Sequence, residues 1–411
     1  MSLDWASGTI SVIIQYNMNY SFADRSLNVP SSGIGMMMRY AASYSDVLSL
    51  GQGTPLFPTP QYIYDYVSEQ ARKDPAVGQY STANLENQLL ELIAKDFEEI
   101  YGFKPQLSEL ALSVGGVGGL MATFLALLNP GDEIIYFDPS YPIHLSQLEI
   151  AQAKVVFVSL KEDEGWKLDF ELLEKSIAPK TKAILLTNPN NPTGTVLSKQ
   201  EVERLADIVL KNDLYLILDE AYQFLSYEEF YSPLMIEDLR KNTICIKSFS
   251  KEFAMTGWRI GYVYAPSEVL TKIAFSINTY LCISPATIAI HGAIAALSDP
   301  RGKEAMNGFY NEFLKSREVI CNRMDKLNKL FSYSKPQGAY YLFPKIKGFE
   351  DLGAIDFCKK LVDEAKVITI PGDSSGPAGK RHIRMSFAAK SDLIEKAFDR
   401  IDEFASKYDL L

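Results

Sequence analysis

The sequence predicts an α/β protein: a large, doubly wound, mostly parallel seven-stranded sheet domain with a smaller α+β domain. Two observations carry this. From about residue 110 to 265, short apolar runs alternate with segments whose apolar residues recur at helical spacing. The chemically interesting residues then fall just past the carboxyl ends of those runs, where open parallel sheets gather their ligands.

Residues 1–60 show no such alternation and are expected to form an N-terminal arm and part of the small domain. The first strand is expected over Glu109–Val114, then a glycine turn and a helix over Leu120–Leu128. The breakers Asn129-Pro130-Gly131-Asp132 end that helix. Further strands are expected at Glu133–Phe137, Lys154–Val158, Lys182–Thr187, Leu214–Leu218, Thr243–Ile246 and Ile260–Tyr264. Lys199–Lys211 carries Val202, Leu205, Ala206 and Val209 on one face and reads as a helix. Beyond about residue 300 come a long helical segment, Lys303–Leu330, strand-like Gly338–Phe343 and His382–Phe387, and a terminal helix. The expected division is therefore 1–60 arm, 61–300 large domain and 301–411 small C-terminal domain.

Composition narrows the partners. A formal charge of −10 argues against nucleic acid or an anionic membrane as the main partner, leaving small molecules held by local cations. The four cysteines are far apart, and Cys245 and Cys282 sit in apolar runs where a small buried hydrophobe is expected. His144, His291 and His382 are isolated along the chain, so no metal centre is expected. The apolar run Thr9–Ile14 is too short for a signal peptide and lacks a basic flank, and no stretch reaches membrane length. A cytoplasmic setting is the expectation.

Residues 248–261 read Ser-Phe-Ser-Lys-Glu-Phe-Ala-Met-Thr-Gly-Trp-Arg-Ile-Gly. Lys251 follows a buried-strand pattern, with hydroxyls at Ser248 and Ser250 before it and Arg259 after it. Such a lysine suits an amine that condenses with an aldehyde while its neighbours hold a phosphate dianion. Burial and a nearby cation both lower an ammonium pKa and free the amine. Pyridoxal phosphate carries both groups. A surface lysine in a serine-rich turn is the plainer reading.

Four more motifs follow strand ends. Ser113-Val114-Gly115-Gly116-Val117-Gly118-Gly119 could bring backbone N–H groups to an oxyanion. It is not a dinucleotide fingerprint, because Gly116 and Gly118 fit but Met121 takes the third glycine position. Tyr141, in Asp138-Pro139-Ser140-Tyr141-Pro142, could stack on a ring or merely pack on its own helix. Asn188-Pro189-Asn190-Asn191-Pro192-Thr193-Gly194 must be a fixed turn. Asp219, in Leu218-Asp219-Glu220-Ala221-Tyr222, is an acid ending an apolar strand, costly unless it meets a cation or caps a helix.

Together these segments resemble the class I and II aminotransferases, the fold-type I pyridoxal phosphate enzymes. The resemblance spans residues 51 to 387 in the family's order. It implies that Lys251 is the Schiff-base lysine and proton shuttle, with Ser248, Ser250, Arg259 and the amides of Gly116 and Val117 around the cofactor phosphate. Tyr141 would stack on the pyridine ring, Asp219 would pair with its protonated nitrogen, and Asn191 and Tyr222 would reach its phenolic oxygen. Arg384, in His382-Ile383-Arg384-Met385-Ser386-Phe387, matches the arginine that grips the substrate α-carboxylate, a task suited to a planar fork. Gly53 and Asn191 complete the substrate side. Tyr80 resembles the tyrosine that reaches the phosphate of a neighbouring subunit, which implies a homodimer with shared sites.

The implied activity is transfer of an amino group from an L-amino acid to a 2-oxo acid by a ping-pong mechanism. Departures bear on the substrate. Leu85 and Leu90 stand where the family usually has glycine and often arginine, and Ser375 replaces an aromatic. Val117 occupies a position that is lysine in some aspartate-specific relatives, so a strictly aspartate enzyme is not expected. A β-lyase or decarboxylase could use the same cofactor residues. A non-catalytic regulator would need a basic DNA-binding segment, for which residues 1–50 are too short and uncharged.

Overall fold

The computed structural model describes residues 21–30, 32–55 and 57–411. The run Thr9–Ile14 and the first part of the expected arm lie outside them. Helix α1 (Gly33–Ala41) is capped by the Ser32 hydroxyl, which accepts from Gly35 N. Helices α2 (Gln61–Lys73) and α3 (Ala83–Tyr101) follow.

The sheet region then runs β1 (Leu110–Ser113), α4 (Gly115–Leu127), β2 (Glu133–Asp138), α5 (Pro142–Ile150), β3 (Lys154–Ser159) and β4 (Thr181–Thr187). It continues with α6 (Lys199–Lys211), β5 (Tyr215–Asp219), β6 (Thr243–Ser248), α7 (Phe249–Glu252) and β7 (Gly261–Tyr264). These seven strands pair in the order β1-β7-β6-β5-β4-β2-β3, and β7 alone runs against its neighbours.

Both faces of this sheet are covered, which explains the unbroken apolar runs. Successive residues point to opposite faces, so Ile134 and Tyr136 of β2 join one apolar cluster while Ile135 and Phe137 join the other. Ala183 and Leu185 of β4 likewise face the cluster with Leu120 and Phe124 of α4, whereas Ile184 and Leu186 face that of α2, α3 and α6.

Three expected boundaries shift for identifiable reasons. β5 starts at Tyr215, because the Leu214 amide is spent on Val209 O at the end of α6. α4 starts at Gly115 rather than Leu120, so most of the glycine run is helical despite its poor propensity. Close packing demands glycine at one of these positions and on the facing strand: a Cβ at Gly119 would meet Val263 Cγ2 at 2.8 Å, and one at Gly261 would meet Lys247 O at 2.7 Å. The strand expected over Gly338–Phe343 shrinks to β8 (Tyr341–Leu342), since Gly338 N and Ala339 N donate instead to Gly194 O and Leu225 O.

After α8 (Thr287–Ser298), the long helix α9 spans Arg301–Lys326. It begins where Asp299 accepts from Arg301 N at 2.9 Å. Helix α10 (Ala354–Ala365), β9 (Ile370–Pro371), β10 (Ile383–Ser386) and α11 (Ser391–Ser406) follow. β10 pairs antiparallel with β8 and β9, and Leu48–Ser49 pairs parallel with Val367–Ile368. The apolar cluster here joins α1 to α9, α10 and α11. Among the described residues no helix is long and apolar enough to cross a membrane. Cys282 is only half-buried, contrary to the sequence expectation, because its short helix Thr279–Cys282 lies at the surface beside exposed Leu281 and Ile283.

Candidate active site

The carboxyl ends of β1, β4, β5 and β6 open into a cleft of about 420 Å³, closed on its other side by α1, the 52–54 loop, Tyr341 and Arg384. Gly53, Gly116, Val117, Tyr141, Asn191, Asp219, Tyr222, Ser248, Ser250, Lys251, Arg259 and Arg384 all line it. The sheet is what gathers them: Thr187 and Asp219 are paired across β4 and β5, and Ser248 faces Gly261 across β6 and β7.

Lys251 occupies the centre, on the four-residue helix α7 whose first turn is capped by the Ser248 hydroxyl. Its Nζ donates to Gly53 O at 2.6 Å. Burial, then the positive charge of Arg384, lower its pKa from 10.5 to about 8; Asp219 opposes the shift and Arg259 adds to it.

Near it lie Ser248, Ser250, Arg259 and the first turn of α4. No side chain caps that helix, so its leading N–H groups remain directed at whatever anion enters. Gly115 has φ +66°, and a Cβ there would collide with the Arg259 guanidinium. Arg259 is itself left-handed at φ +56°, and its Nη1 donates to Thr256 O at 2.9 Å. A side chain at 115 would therefore push the cation away from the helix start.

Asp219 is buried, its Oδ2 3.0 Å from His144 Nε2 and its Oδ1 accepting from Ala221 N at 3.2 Å. Asp219 caps no helix: its Oδ1 closes a local turn with Ala221 N, and its Oδ2 faces an imidazole. Tyr141 meets the His144 ring edge-on at 5.2 Å, and burial pushes its hydroxyl pKa up to about 12. The Tyr222 hydroxyl is 2.8 Å from that of Tyr341. Burial drives the Tyr222 pKa well above 10, so its hydroxyl stays protonated.

Arg384 is the most telling cation. Only 2% of it is exposed, yet its partners are neutral: Asn191 Oδ1 at 3.2 Å and Gly51 O at 2.8 Å. Its Nε has no hydrogen-bond partner among the described residues. A guanidinium buried in this way calls for an anion. Tyr341 lies beneath it, the ring centroid 4.6 Å from Cζ.

The residues therefore fit a phosphorylated pyridine aldehyde and a carboxylate substrate. Cations and free amides stand at one end, a buried acid at another, and a partly discharged amine lies between. Tyr80 is the exception: it is 74% exposed and does not line the cleft of its own chain. Sequence reasoning missed His144, Thr187 and Tyr341, as well as Ile34 and Met38 of α1. The alternating pattern around His144 carried no signal, because its partner is 75 residues away.

Comparison with known proteins gives a consistent result. The family described as "Aminotransferase class I and II" matches residues 45–401. The aromatic-amino-acid aminotransferase 2 of Thermococcus litoralis is 31% identical over 386 residues, 93% of this chain and 98% of that protein. The aspartate aminotransferase of Pyrococcus abyssi is 32% identical over 93% of this chain and 98% of its own. Among solved structures, an aromatic aminotransferase from Pyrococcus horikoshii superposes with a TM-score of 0.84 at 31% identity, covering 91% of this chain and all (100%) of that one.

Proposed function

Because the chain belongs to the class I and II aminotransferases, a fold-type I family whose members depend on pyridoxal phosphate, we propose that the cleft around Lys251 binds that cofactor and performs amino transfer. The observation that carries the site assignment is a half-buried lysine with a pKa lowered to about 8, lining one cleft with Arg259, Arg384 and Asp219.

Ser248, Ser250, Arg259 and the amides of Gly116 and Val117 would hold the phosphate, with Tyr141 on the ring face. Asp219 would hold the ring nitrogen, and Asn191 and Tyr222 the phenolic oxygen. When bound, the cofactor supplies an aldehyde that condenses with amines and a ring that accepts the electron pair left at the substrate α-carbon. Arg384 grips the α-carboxylate and fixes which α-carbon bond stands against the ring. Lys251 Nζ, free at neutral pH in a useful fraction, removes the proton from that carbon and later returns one. In the cofactor-free chain Gly53 O, accepting from Lys251 Nζ at 2.6 Å, holds the amine inside the cleft.

Two chains are proposed to assemble as a homodimer. The turn bearing Tyr80 is tied to the start of α8, Thr287 Oγ1 donating to Gln79 O at 2.6 Å. Nearby segments expose Phe275, Tyr280, Leu281, Ile283 and Ile288, a group of apolar side chains of the kind that a partner surface covers. Tyr80 would then complete the phosphate site of the partner. A division at residues 60 and 300 and a cytoplasmic setting belong to the same proposal. The separate apolar cluster of the C-terminal helices supports the first, and four free cysteines support the second.

Borohydride reduction of the holoprotein followed by peptide mapping tests the central claim. The pyridoxyl label should sit on Lys251, and a label elsewhere, or none, overturns it. Lys251→Ala should lose turnover by at least about 10³-fold.

A further inference from the structure

The cleft has more wall than the proposed chemistry uses. Once Lys251, Arg259 and Arg384 are assigned, the lining still includes Ile34, Met38, Val117 and Tyr341. Ile34 and Met38 are one turn apart on α1, so both face the same way. Met37, between them, is wholly buried in the apolar cluster of α9, α10 and α11. That anchor seats the helix against the small-domain side, and a Cβ at Gly33 would already be 2.8 Å from Ser374 Oγ. Met38 Sδ is 3.9 Å from Gln52 Nε2, and the neighbouring Gly51 O accepts from Arg384. The α1 wall thus stands beside the group that grips the substrate carboxylate.

We propose that Ile34 and Met38, with Val117 and Tyr341, form the pocket for the substrate side chain, and that the enzyme takes amino acids whose side chains are uncharged and apolar, long aliphatic or aromatic. This rests on the aminotransferase reading and names its substrate class. Among the described residues the cations lining the cleft are Lys251, Arg259 and Arg384, each with a task already. Arg39, on the same helix, is exposed and does not line the cleft. A second carboxylate would lose water here without gaining a charged partner. Met38 favours breadth over a single shape, because an unbranched thioether repacks around differing apolar groups.

Calorimetric titration of holoprotein with unreactive acids tests this without turnover. 3-Phenylpropanoate and 4-methylpentanoate should bind at least about tenfold more tightly than succinate. Met38→Ala should weaken 3-phenylpropanoate about fivefold and succinate less than twofold, and Ile34→Lys should reverse the ranking. Succinate binding as tightly as 3-phenylpropanoate, or equal losses for both acids in Met38→Ala, overturns the proposal while leaving amino transfer standing. If instead no acid binds and no amino acid yields an oxo acid, the aminotransferase reading fails and takes this one with it.

Discussion

His144 Nε2 lies 3.0 Å from Asp219 Oδ2, joining α5 to the last residue of β5 inside a buried site. Asp219 thereby keeps its orientation whether or not a ring nitrogen faces it. Replacing His144 with Phe should reduce kcat about tenfold by releasing that carboxylate. Asp219→Asn, which removes the charge itself, should reduce it by roughly 10²–10³. Steady-state kinetics on both variants would check the order; equal losses would mean the imidazole does more than orient.

The Lys251 pKa of about 8 has two pH consequences. In the cofactor-free chain the rate at which Lys251 reacts with an amine-labelling reagent should rise about tenfold per unit below pH 8 and flatten above it, as the free amine becomes the main form.

Stability registers the same shift in a higher pH window. Between pH 8 and 10.5 the unfolded chain holds a proton on this lysine that the folded one has lost, so stability gains with rising pH in that window. Below pH 8 the charged amine is a burden, partly desolvated and close to two other cations. Cofactor-free Lys251→Met should then be more stable than wild type at pH 7 by up to about 3 kcal/mol, with the difference vanishing towards pH 10.5. Urea melts at several pH values measure this directly.

Arg384 is wrapped by neutral partners and keeps an unpartnered Nε. Arg384→Lys retains the charge but not the fork, so KM for the amino donor should rise about 10- to 100-fold with a smaller change in kcat. A kcat loss with unchanged KM would place the substrate carboxylate elsewhere.

Gly115→Ala forces a side chain into a left-handed backbone and against Arg259. It should cost about 1–2 kcal/mol of stability. It should also weaken pyridoxal phosphate binding about tenfold or more, read by fluorescence titration. Unchanged affinity would separate Arg259 from the phosphate.

Much of the fold was legible because strand and helix periods are local. Lys199–Lys211 was read to the residue, and the sheet strands to within two residues at either end. The lysine, asparagine and aspartate motifs were legible because each follows a strand end. What stayed hidden depended on distant chain segments meeting. His144 gains its role only when α5 crosses towards β5, and Tyr341 only when β8 comes up under Arg384. Cys282 misled because apolar neighbours signal burial even where they coat an outer face. The glycine run hid its helix because propensity weighs against glycine, whereas the nearness of β7 demands it.

That nearness also limits how this scaffold can change. Gly119 and Gly261 leave no space for even one more carbon where α4 meets the sheet, and Gly115 leaves none against Arg259. At those three points the backbone can carry no larger residue without the neighbours shifting. Under the reading proposed above, new ligand ranges would arise instead at Ile34, Met38 and Val117, whose side chains line the cleft wall and can be exchanged without disturbing the backbone beneath them.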